Sequence, residues 1–560
     1  MAIEVRNLTY FYPNLDTPAL QDINFKIDYG EFAIITGPSG GGKSTLCKIL
    51  TGLIPGIYGG RLSGEVYIDG INVIEKGVRG VIGRVGVVLQ VPENQIANLL
   101  VEEELTFGLE NLLYDPRVIR ERIYEVSKNL EIQHLLNRTT YTLSGGEAQK
   151  VVIGSVLVYK PKILILDEPL AHIDPTSVEN LLSILTRVNR ENGITVVVIE
   201  HRLSELLGYA TRVIVLNKKI IFDGRAKDSI QYLIESGVEV PPVTELAISI
   251  GVKPIFSVED AAKVLGRYLT QGVCKCRNVD TSRNAVGSEG KEVAISLDNV
   301  WYAYSGNKYV LRGINLNIYR GEMLAIVGPN GSGKTTLIKH FNGLLKPVRG
   351  YVKVFGKDTK MYSVAELARH VGIVFQNPLH QFFEEAAIKE IMFTLRNMGV
   401  ECSEDKAMKI LDMFKLRHVA YKSPYELSVG EQRRLAIASI VAYEPDVIVL
   451  DEPTAGIDYA LKMELLEIIS RLREKNKTIV VVTHDMEFLS KANVDRVIVM
   501  YNGRVVDEGS LRDVLYLPKT EENNVLRLPQ IVRLAKTLKL DICANPLNAK
   551  EFAEIIKRCF

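Results

Sequence analysis

The sequence predicts an α/β fold that occurs twice along one chain of 560 residues. The segment from Ala19 to Thr45 returns from Val310 to Thr336 with its apolar, glycine and lysine positions in the same order. In both copies, short and nearly continuous apolar runs alternate with longer segments of helical spacing, a pattern typical of strands buried on both faces of a parallel sheet. The length allows two to four domains, so each copy can form its own core.

The composition is that of an ordinary globular protein. The chain has 68 basic and 67 acidic side chains, a formal net charge of +1, with 47% hydrophobic and 24% charged residues. These values exclude a disordered, collagen-like or small disulfide-stapled protein. A dedicated nucleic-acid binder normally carries a basic domain or stripe, which the balanced charge disfavours.

Cysteine usage and hydropathy indicate a reducing compartment and no membrane span. Only Cys274 and Cys276 of the six cysteines lie close together, and no second pair completes a metal site. We therefore expect free thiols in a reducing cytosol. No apolar run reaches the roughly 18 residues that span a bilayer, and the N-terminus lacks the apolar core of a signal peptide. We expect that the polypeptide does not itself cross a membrane.

The strand and helix patterns follow one order in each copy. Residues 23–27 and 314–318 alternate apolar and polar positions, which favours a half-solvated antiparallel strand. Continuous apolar runs instead predict buried parallel strands, at residues 32–36, 164–166, 195–199, 324–327, 447–450 and 479–482. Val101 to Tyr141 and Ile388 to Tyr425 have helical spacing without such runs, so each predicts an all-helical insertion.

The repeat continues beyond the strands into a small helical appendage in each copy. Between the copies the chain is polar and rich in Asn, Ser, Gly and charge, which is typical of a flexible linker. The predicted organisation is a first domain at residues 1–238, its appendage at 239–270, a linker at 271–291, a second domain at 292–522 and its appendage at 523–560.

Two segments have the pattern of a phosphate-binding loop. Residues 37–44 and 328–335 both match G-x-x-x-x-G-K-[ST] between a buried strand and a helical segment. Glycines let backbone N–H groups surround a phosphate, the helix N-terminus adds partial positive charge, and the hydroxyl of Ser44 or Thr335 can hold Mg²⁺. Two copies in this context argue against simple glycine turns and indicate a P-loop nucleotide hydrolase.

A pair of carboxylates follows a later apolar strand in each copy. Asp167 and Asp451 end their strands, and Glu168 and Glu452 come next. A carboxylate at the tip of a buried strand can reach the magnesium shell, and its neighbour can lie against the attacking water. Downstream of a phosphate loop, a pair of simple capping carboxylates is the less favoured interpretation.

A third motif indicates which family of P-loop hydrolases the chain resembles. Each copy has a short hydroxyl residue followed by glycine at a predicted helix N-terminus, in the segments Leu143-Ser-Gly-Gly-Glu147 and Leu427-Ser-Val-Gly-Glu431. With these segments the chain resembles the ATP-binding-cassette (ABC) ATPases, whose signature loop is LSGGQ. The resemblance implies two mixed-sheet domains, each with an antiparallel β subdomain and a helical subdomain, which pair head to tail around ATP and Mg²⁺ within the chain.

The resemblance also implies roles for individual residues. Tyr12 and Tyr304 would stack on adenine, although Tyr10 and Tyr302 lie close to them in sequence. The catalytic set would be the glutamates Glu168 and Glu452, the switch histidines His201 and His484, and the loop glutamines Gln90 and Gln376. The metal set would be Ser44, Gln90, Asp167, Thr335, Gln376 and Asp451. The remaining ATP-binding positions would be Gly37, Ser39, Gly40, Gly42, Lys43, Ser44, Thr45, Gly328, Asn330, Gly331, Gly333, Lys334, Thr335, Thr336, Ser144, Gly146, Ser428, Gly430, Asp174 and Asp458.

Each predicted site combines residues from both copies. The residues around Lys43 would be completed by Ser428 and Gly430, and those around Lys334 by Ser144 and Gly146. Both sites retain a catalytic glutamate, so both are expected to hydrolyse ATP. The departures from the signature are Glu147 and Glu431 in place of glutamine, and Val429 in place of the first glycine.

The segment after each loop glutamine bears on the biological role. It reads Gln90-Val-Pro-Glu-Asn-Gln95 and Gln376-Asn-Pro-Leu-His-Gln381, a repeated Q-x-P-x-x-Q pattern. A Pro-containing turn at a loop end would explain one copy. Two copies resemble the ATPase components of energy-coupling-factor (ECF) importers of vitamins and metal ions. The resemblance implies a peripheral position at the cytoplasmic side of the cell membrane, with an integral scaffold subunit and a substrate-binding membrane subunit as partners.

Two other functions are possible from the sequence. A soluble twin-cassette ATPase acting on ribosomes or nucleic acid is disfavoured because the chain lacks a cysteine-rich iron-sulfur domain and a long charged linker helix, and because its net charge is +1. No nucleic-acid partner is expected. A purely regulatory ATP-binding protein is disfavoured by the intact catalytic residues.

Overall fold

A computed structural model describes residues 1–170, 175–271, 290–304, 308–518, 526–539 and 545–559, without the side chains of residues 93, 175–177, 267–271, 558 and 559. The chain divides into two compact units. The first comprises Met1–Ala261 together with Asp458–Ala460, and the second comprises Ala262–Ile457 and Leu461–Phe560.

The first unit has a four-stranded antiparallel sheet in the order β2-β1-β4-β5. Its strands are β1 (Ile3–Phe11), β2 (Leu20–Ile27), β4 (Arg61–Ile68) and β5 (Ile71–Asn72). Along β2 the buried side chains Ile23, Phe25 and Ile27 alternate with exposed polar ones, so one face of this sheet packs on the core and the other meets solvent.

A six-stranded sheet forms the centre of the first unit, in the order β10-β9-β3-β8-β7-β6. Its strands are β3 (Phe32–Thr36), β6 (Val85–Val88), β7 (Ile163–Asp167), β8 (Thr195–Ile199), β9 (Arg212–Asn217) and β10 (Lys219–Gly224). All neighbours pair in parallel except β9 and β10, which are antiparallel. The carboxyl ends of β3, β7 and β8 therefore meet at one edge of the sheet.

Both faces of this sheet are buried. Adjacent side chains of a strand point to opposite faces, so Ala33 and Ile35 pack with the antiparallel sheet and α1, whereas Phe32 and Ile34 pack with the helical insertion. This explains the nearly continuous apolar runs in the sequence. The helices of the first half are α1 (Lys43–Leu50), α2 (Leu53–Gly56), α3 (Val73–Val81), α4 (Val101–Asn111), α5 (Pro116–Asn129), α6 (Gly145–Leu157), α7 (Pro175–Asn192), α8 (Ile230–Glu235), α9 (Pro242–Ser249) and α10 (Val258–Gln271).

The second unit repeats the same plan. Its antiparallel sheet has the order β12-β11-β14-β15 and its central sheet the order β16-β17-β18-β13-β19-β20, with only β19 and β20 antiparallel in the latter. The strands are β11 (Val293–Tyr302), β12 (Leu311–Tyr319), β13 (Met323–Val327), β14 (Arg349–Val354), β15 (Lys357–Asp358), β16 (Val371–Val374), β17 (Val447–Asp451), β18 (Thr478–Val482), β19 (Arg496–Tyr501) and β20 (Arg504–Gly509). The helices are α11 (Lys334–Ile338), α12 (Val364–Ala368), α13 (Ala387–Asn397), α14 (Glu404–Met413), α15 (Val429–Val441), α16 (Tyr459–Glu474), α17 (Met486–Lys491), α18 (Leu511–Tyr516), α19 (Gln530–Thr537) and α20 (Ala549–Cys559).

The predicted fold class is confirmed, because each half combines a mixed sheet, an antiparallel sheet and a helical segment. The predicted insertions contain α4 and α5 in the first half and nearly all of α13 and α14 in the second. The domain boundaries stay predictions, and residues 272–289 of the linker and 540–544 of the second appendage lie outside the described residues.

The helices and cysteines bear on the expectations of no membrane span and of free thiols. Within the described ranges, no helix is both long and apolar enough to cross a bilayer. Cys47 is a buried free thiol and Cys402 a partly exposed one.

Candidate active sites

In both halves the predicted phosphate loop joins a buried strand to a helix. Residues 37–42 lead from β3 into α1, and residues 328–333 lead from β13 into α11. The residue before each helix is a glycine in the left-handed region, with φ 95° at Gly42 and φ 100° at Gly333, where other residues are strained. Helix N-termini reached through such a turn present free backbone N–H groups, as a phosphate requires.

The first glycine of each loop packs directly on a neighbouring strand. A Cβ added to Gly37 would lie 1.9 Å from the carbonyl oxygen of Leu216, and one added to Gly328 would lie 2.2 Å from that of Met500. Any side chain there would push the loop away from β9 or β19. The sequence pattern G-x-x-x-x-G-K therefore has a packing reason as well as a conformational one.

The loop lysines lie folded over their own loops. Lys43 Nζ donates a hydrogen bond to the carbonyl oxygen of Gly37 at 2.7 Å, and Lys334 Nζ donates to that of Gly328 at 2.8 Å. Burial lowers the pKa of both lysines, and the nearest carboxylates, Glu168 and Glu452 respectively, act in the opposite direction. Each half thus holds an ammonium group at the mouth of its phosphate loop.

The candidate adenine-stacking residues lie beside these loops. The hydroxyls of Tyr12 and Thr45 are 3.1 Å apart, and those of Tyr304 and Thr336 are also 3.1 Å apart. Tyr10 is fully buried and offers no open ring face. Of the two tyrosines considered in the first half, Tyr12 is therefore the better placed for a base, and its role stays a prediction.

Asp167 and Asp451 are buried at the carboxyl ends of β7 and β17. Burial, followed by the charges of Glu168 and Glu200, raises the pKa of Asp167 to about 7, despite Lys43. Burial also raises the pKa of Asp451 to about 6, against the hydrogen bond that Thr335 Oγ1 donates to it at 3.0 Å.

One oxygen of each aspartate fits a metal ion. Asp167 Oδ1 and Asp451 Oδ1 are buried and have no hydrogen-bond partner among the described residues. A buried anionic oxygen that accepts no hydrogen bond is suited to bind a hard cation such as Mg²⁺. In each half the P-loop motif also supplies a hydroxyl group. Within the described part of the chain, no three or more His, Cys, Asp or Glu side chains are grouped so that they could hold a metal ion.

The glutamates that follow have an unusual backbone. Glu168 has φ 47° and Glu452 has φ 46°, a region costly for residues other than glycine. The backbone N–H of Glu168 donates to Ile199 and that of Glu452 donates to Val482, both at 2.8 Å. A backbone hydrogen bond to the next strand thus holds each glutamate in a strained turn. Strained backbone of this kind is typical of functional sites.

In the first unit three predicted side chains meet at Glu168. Gln90 Nε2 donates to Glu168 Oε2 at 2.7 Å, and His201 Nδ1 lies 3.6 Å from Glu168 Oε1. Burial alone would lower the pKa of His201, but the neighbouring carboxylates of Glu168 and Glu200 raise it overall. The loop glutamine, the glutamate and the switch histidine therefore form one cluster.

In the second unit His484 lies beside Glu452, with 3.0 Å between Nδ1 and Glu452 Oε2. The two atoms are not aligned as a hydrogen bond. The side chain of His484 is 30% exposed, compared with 8% for His201. The two switch histidines therefore differ in burial although their sequence positions correspond.

The signature serines Ser144 and Ser428 are helix N-caps. Ser144 Oγ accepts from the backbone N–H of Glu147 while the Glu147 carboxylate accepts from the Ser144 N–H, and Ser428 and Glu431 do the same in the second unit. The glutamate in place of the usual glutamine therefore completes a capping box. The Val429 side chain is exposed, so it does not enter the core.

The second glutamine of each Q-x-P-x-x-Q segment faces inward. Gln95 Oε1 accepts from Leu89 N at 2.9 Å, and its Nε2 donates to the Val87 carbonyl at 2.7 Å. Gln381 bonds Phe375 N at 3.2 Å and the Ile373 carbonyl at 2.9 Å. Each side-chain amide thus adds two hydrogen bonds to the backbone at the end of β6 or β16, directly before Gln90 or Gln376.

The chain was compared with protein-family models and known proteins. The family model described as ABC transporter matches residues 20–171 and 311–455. The chain belongs to this family. An ABC transporter ATP-binding protein of Methanosarcina acetivorans is 33% identical, over 99% of this chain and 91% of that protein. Another from Caldanaerobacter subterraneus is 38% identical over 96% of both chains. A solved structure described as cbiO1 from Clostridium perfringens, part of the ABC transporter complex cbiONQ, is 34% identical with a TM-score of 0.38, covering 44% of this chain and all of that one.

The family membership identifies an ABC-type ATPase with two tandem cassettes. ATP is the nucleotide that such cassettes bind, generally with Mg²⁺, and ABC ATPases act with membrane subunits. Of the two aspartates among the predicted ATP-binding positions, Asp174 lies outside the described residues. Asp458 is buried and belongs to the first compact unit.

Sequence reasoning missed four buried charged residues of this ABC ATPase. Glu104 and Glu390 occupy corresponding positions, and each carboxylate accepts two backbone N–H groups of the segment after the Q-x-P-x-x-Q turn. Their recurrence in both copies was a signal that could have found them. Arg433 donates to the carbonyls of Glu452 and Ala455, and burial lowers its pKa to about 10.

Glu200 is the fourth such residue, and it has no acidic counterpart, since Thr483 occupies its place in the second copy. The repeat therefore gave no signal for it. It is fully buried and lies directly before His201.

Proposed function

We propose that this ABC ATPase is the energy-coupling subunit of an ECF-type importer of a vitamin or metal ion. It would act from the cytoplasmic side of the cell membrane on an integral scaffold subunit and a substrate-binding membrane subunit. The observation that carries the proposal is the repeated Q-x-P-x-x-Q segment. The inward-facing amides of Gln95 and Gln381 fix the backbone next to each loop glutamine. Asn94 in the first turn, and Asn377 and His380 in the second, are exposed and would face a partner.

Two ATP molecules would be held between the cassettes, each by the phosphate loop of one half and the signature loop of the other. Lys43 and Ser44 would work with Ser428 and Gly430, and Lys334 and Thr335 with Ser144 and Gly146. The capping boxes support this assignment, because they hold each glycine-containing helix start in the conformation that presents N–H groups to an anion. Asp174 and Asp458 are proposed to line the same junctions.

The proposed chemistry is an attack of water on the γ-phosphate, which breaks the bond between the γ-phosphorus and the oxygen bridging to the β-phosphate and releases ADP and inorganic phosphate. Glu168 and Glu452 would orient the water and accept its proton, and Gln90 and Gln376 would bind it from the adjoining loop. His201 and His484 would contact the γ-phosphate. When bound, Mg²⁺ would neutralise phosphate charge, held by Ser44, Asp167 and Gln90 or by Thr335, Asp451 and Gln376.

The assignment of the base is tested with Glu168→Gln and Glu452→Gln in one chain. The amide keeps the shape of the side chain but cannot accept a proton, so ATP hydrolysis should fall by about 10²–10⁴-fold while ATP stays bound. Steady-state phosphate release and retention of radiolabelled ATP measure the two effects. Rapid turnover by the double variant would show that these glutamates are not the base.

The transport role is tested by isolating the full chain from native membranes. Co-purification with apolar membrane subunits, stable in high salt, would support the importer. The alternative is a twin-cassette ATPase acting on ribosomes or nucleic acid, which would instead co-sediment with ribosomes or RNA and be released by salt. Association with RNA and no membrane subunit would overturn the proposal.

A further inference from the structure

The two switch histidines are held by different means. The residue before His201 is Glu200, whereas the residue before His484 is Thr483. Both precede their histidine at the end of a central strand, and both are fully buried. The backbone is also held alike, since Glu200 N donates to Ile35 and Thr483 N donates to Ile326, each at 3.1 Å. The difference therefore lies in the side chains.

The Glu200 carboxylate accepts hydrogen bonds from three backbone N–H groups. Its Oε1 accepts from His201 N at 2.8 Å and Arg202 N at 3.0 Å, and its Oε2 accepts from Leu170 N at 3.2 Å. Arg202 completes the connection, because its guanidinium donates to the Leu170 carbonyl at 2.9 Å. The switch loop is thereby tied to the segment that follows Glu168 and Pro169.

The same carboxylate lies against the imidazole. His201 Nδ1 is 3.2 Å from Glu200 Oε1 and 3.6 Å from Glu168 Oε1, so the ring is enclosed between two carboxylates. The positive charge of Lys43 opposes the effect of these two carboxylates on the imidazole. This enclosure agrees with the 8% exposure of the His201 side chain.

Thr483 cannot build the same connection. Its hydroxyl accepts from the backbone N–H of Asp485 at 3.0 Å, which matches only the bond between Glu200 and Arg202. A hydroxyl on Cβ is too short to bridge to the neighbouring loop as a carboxylate two carbons further out does. The corresponding segment after Glu452 is instead held from helix α15, by Arg433.

We propose that Glu200 is a positioning residue that fixes His201 against Glu168 and ties the first switch loop to the segment after the catalytic glutamate. The two cassettes are consequently unequal: the first has a switch histidine set in place before nucleotide binds, and the second has one whose side chain is 30% exposed. This inference rests on the proposed roles of His201 and Glu168.

The test compares histidine accessibility in the nucleotide-free full chain. Diethyl pyrocarbonate modifies accessible imidazoles, and mass spectrometry of peptides gives the rate at each histidine. His484 should react severalfold faster than His201 in the unchanged protein. Glu200→Thr should raise the rate at His201 to that of His484, and Glu200→Gln, which keeps one acceptor oxygen, should give an intermediate rate.

Two other histidines are internal controls. The fully buried His340 should stay unreactive in every variant, and the exposed His418 should react at an unchanged rate. A rise at His340 would show general loosening. In that case the rate at His201 in the Glu200→Gln chain decides the test, because glutamine keeps the shape of the glutamate side chain. Equal rates at His201 and His484 in the unchanged protein, or no change at His201 in both Glu200 variants, would overturn the proposal.

Turnover supplies the second readout. Glu200→Thr should lower kcat by about tenfold through misplacement of His201, with the KM for ATP unchanged, and Glu200→Gln should recover part of the loss. The matched Thr483→Ser in the other cassette should leave kcat unchanged. A raised KM with unchanged kcat would contradict a positioning role. Failure of the chain with both Glu168→Gln and Glu452→Gln to reduce turnover would instead refute the proposed hydrolysis chemistry and leave the histidine reactivities as the test of Glu200.

Discussion

Asp167 shows at residue scale how a site can be built at a cost to stability. Its folded pKa of about 7 lies above the ordinary value of about 3.9 for an unfolded aspartate. The unfolded chain therefore releases this proton first, and the folded protein loses stability as the pH rises from about 4 to 7. A bound cation would remove the cost by pairing with the carboxylate.

Asp167→Asn should accordingly stabilise the metal-free protein while impairing ATP hydrolysis. At pH 8 we expect an increase of about 1–2 kcal/mol in the free energy of unfolding, and almost none at pH 4, where the carboxyl is neutral in both states. Urea unfolding in the presence of EDTA measures this difference.

Asp69 is the matched control. Despite the effect of burial, its hydrogen bonds with Tyr29, Lys162 and Arg84 lower its pKa, so its ionised form stabilises the fold above the unfolded pKa. Asp69→Asn should therefore destabilise the protein at pH 8. An Asp167→Asn variant less stable than the parent at pH 8 would contradict the account.

Single residues also mark the limit of prediction from sequence. The P-loop lysines and the Asp-Glu pairs were identifiable because their spacing is fixed by the chemistry. The left-handed backbone of Glu168 was not, since it depends on a hydrogen bond from the neighbouring strand. Glu200 was missed because its three N–H partners come from two loops that are distant in sequence.

At the scale of elements, continuous apolar runs located the buried strands closely. The predicted run at residues 32–36 is β3, and that at 195–199 is β8. Such runs are informative because both faces of these strands are covered. The turn after Gln90 was identified as a motif, but the direction of its second glutamine depends on tertiary hydrogen bonds that a single sequence does not display.

The structure gives Gln95 a role in positioning the loop of Gln90. Gln95→Met keeps the side-chain length but removes both hydrogen bonds to β6. We expect kcat for ATP hydrolysis to fall by about tenfold or more, with little change in the KM for ATP, because Gln90 would act on water rather than on ATP binding. Steady-state kinetics measure both parameters.

Gln133→Met provides the control at an exposed glutamine of the helical insertion that follows this turn, and it should leave kcat unchanged. Gln381→Met should repeat the effect of Gln95→Met in the second half. A rise in KM alone, or equal losses in Gln133→Met, would show that the amide does not position the catalytic loop.

At the scale of the whole molecule, the account requires each signature loop to serve the nucleotide of the other cassette. The tandem repeat made this expectation possible from sequence, because two phosphate loops and two signature loops occur in one chain. The pairing itself follows from the family resemblance and not from any residue pattern, so it needs a direct test.

Ser428→Trp should impair nucleotide binding at the site of Lys43 more than at the site of Lys334. The chain for this test also carries Glu168→Gln and Glu452→Gln to prevent hydrolysis. Photolabelling with 8-azido-ATP, followed by peptide mapping around Tyr12 and Tyr304, reports the two sites separately. Ser144→Trp should give the reverse pattern, and labelling lost only in the half that carries the tryptophan would refute the crossed arrangement.

The most direct measurement is an experimental structure of the Glu168→Gln and Glu452→Gln chain with ATP and Mg²⁺. The account predicts two nucleotides, with the γ-phosphate bound at Lys43 within hydrogen-bond distance of Ser428, and that bound at Lys334 equally close to Ser144. Nucleotides enclosed by residues of one half alone, with both signature serines in solvent, would contradict it.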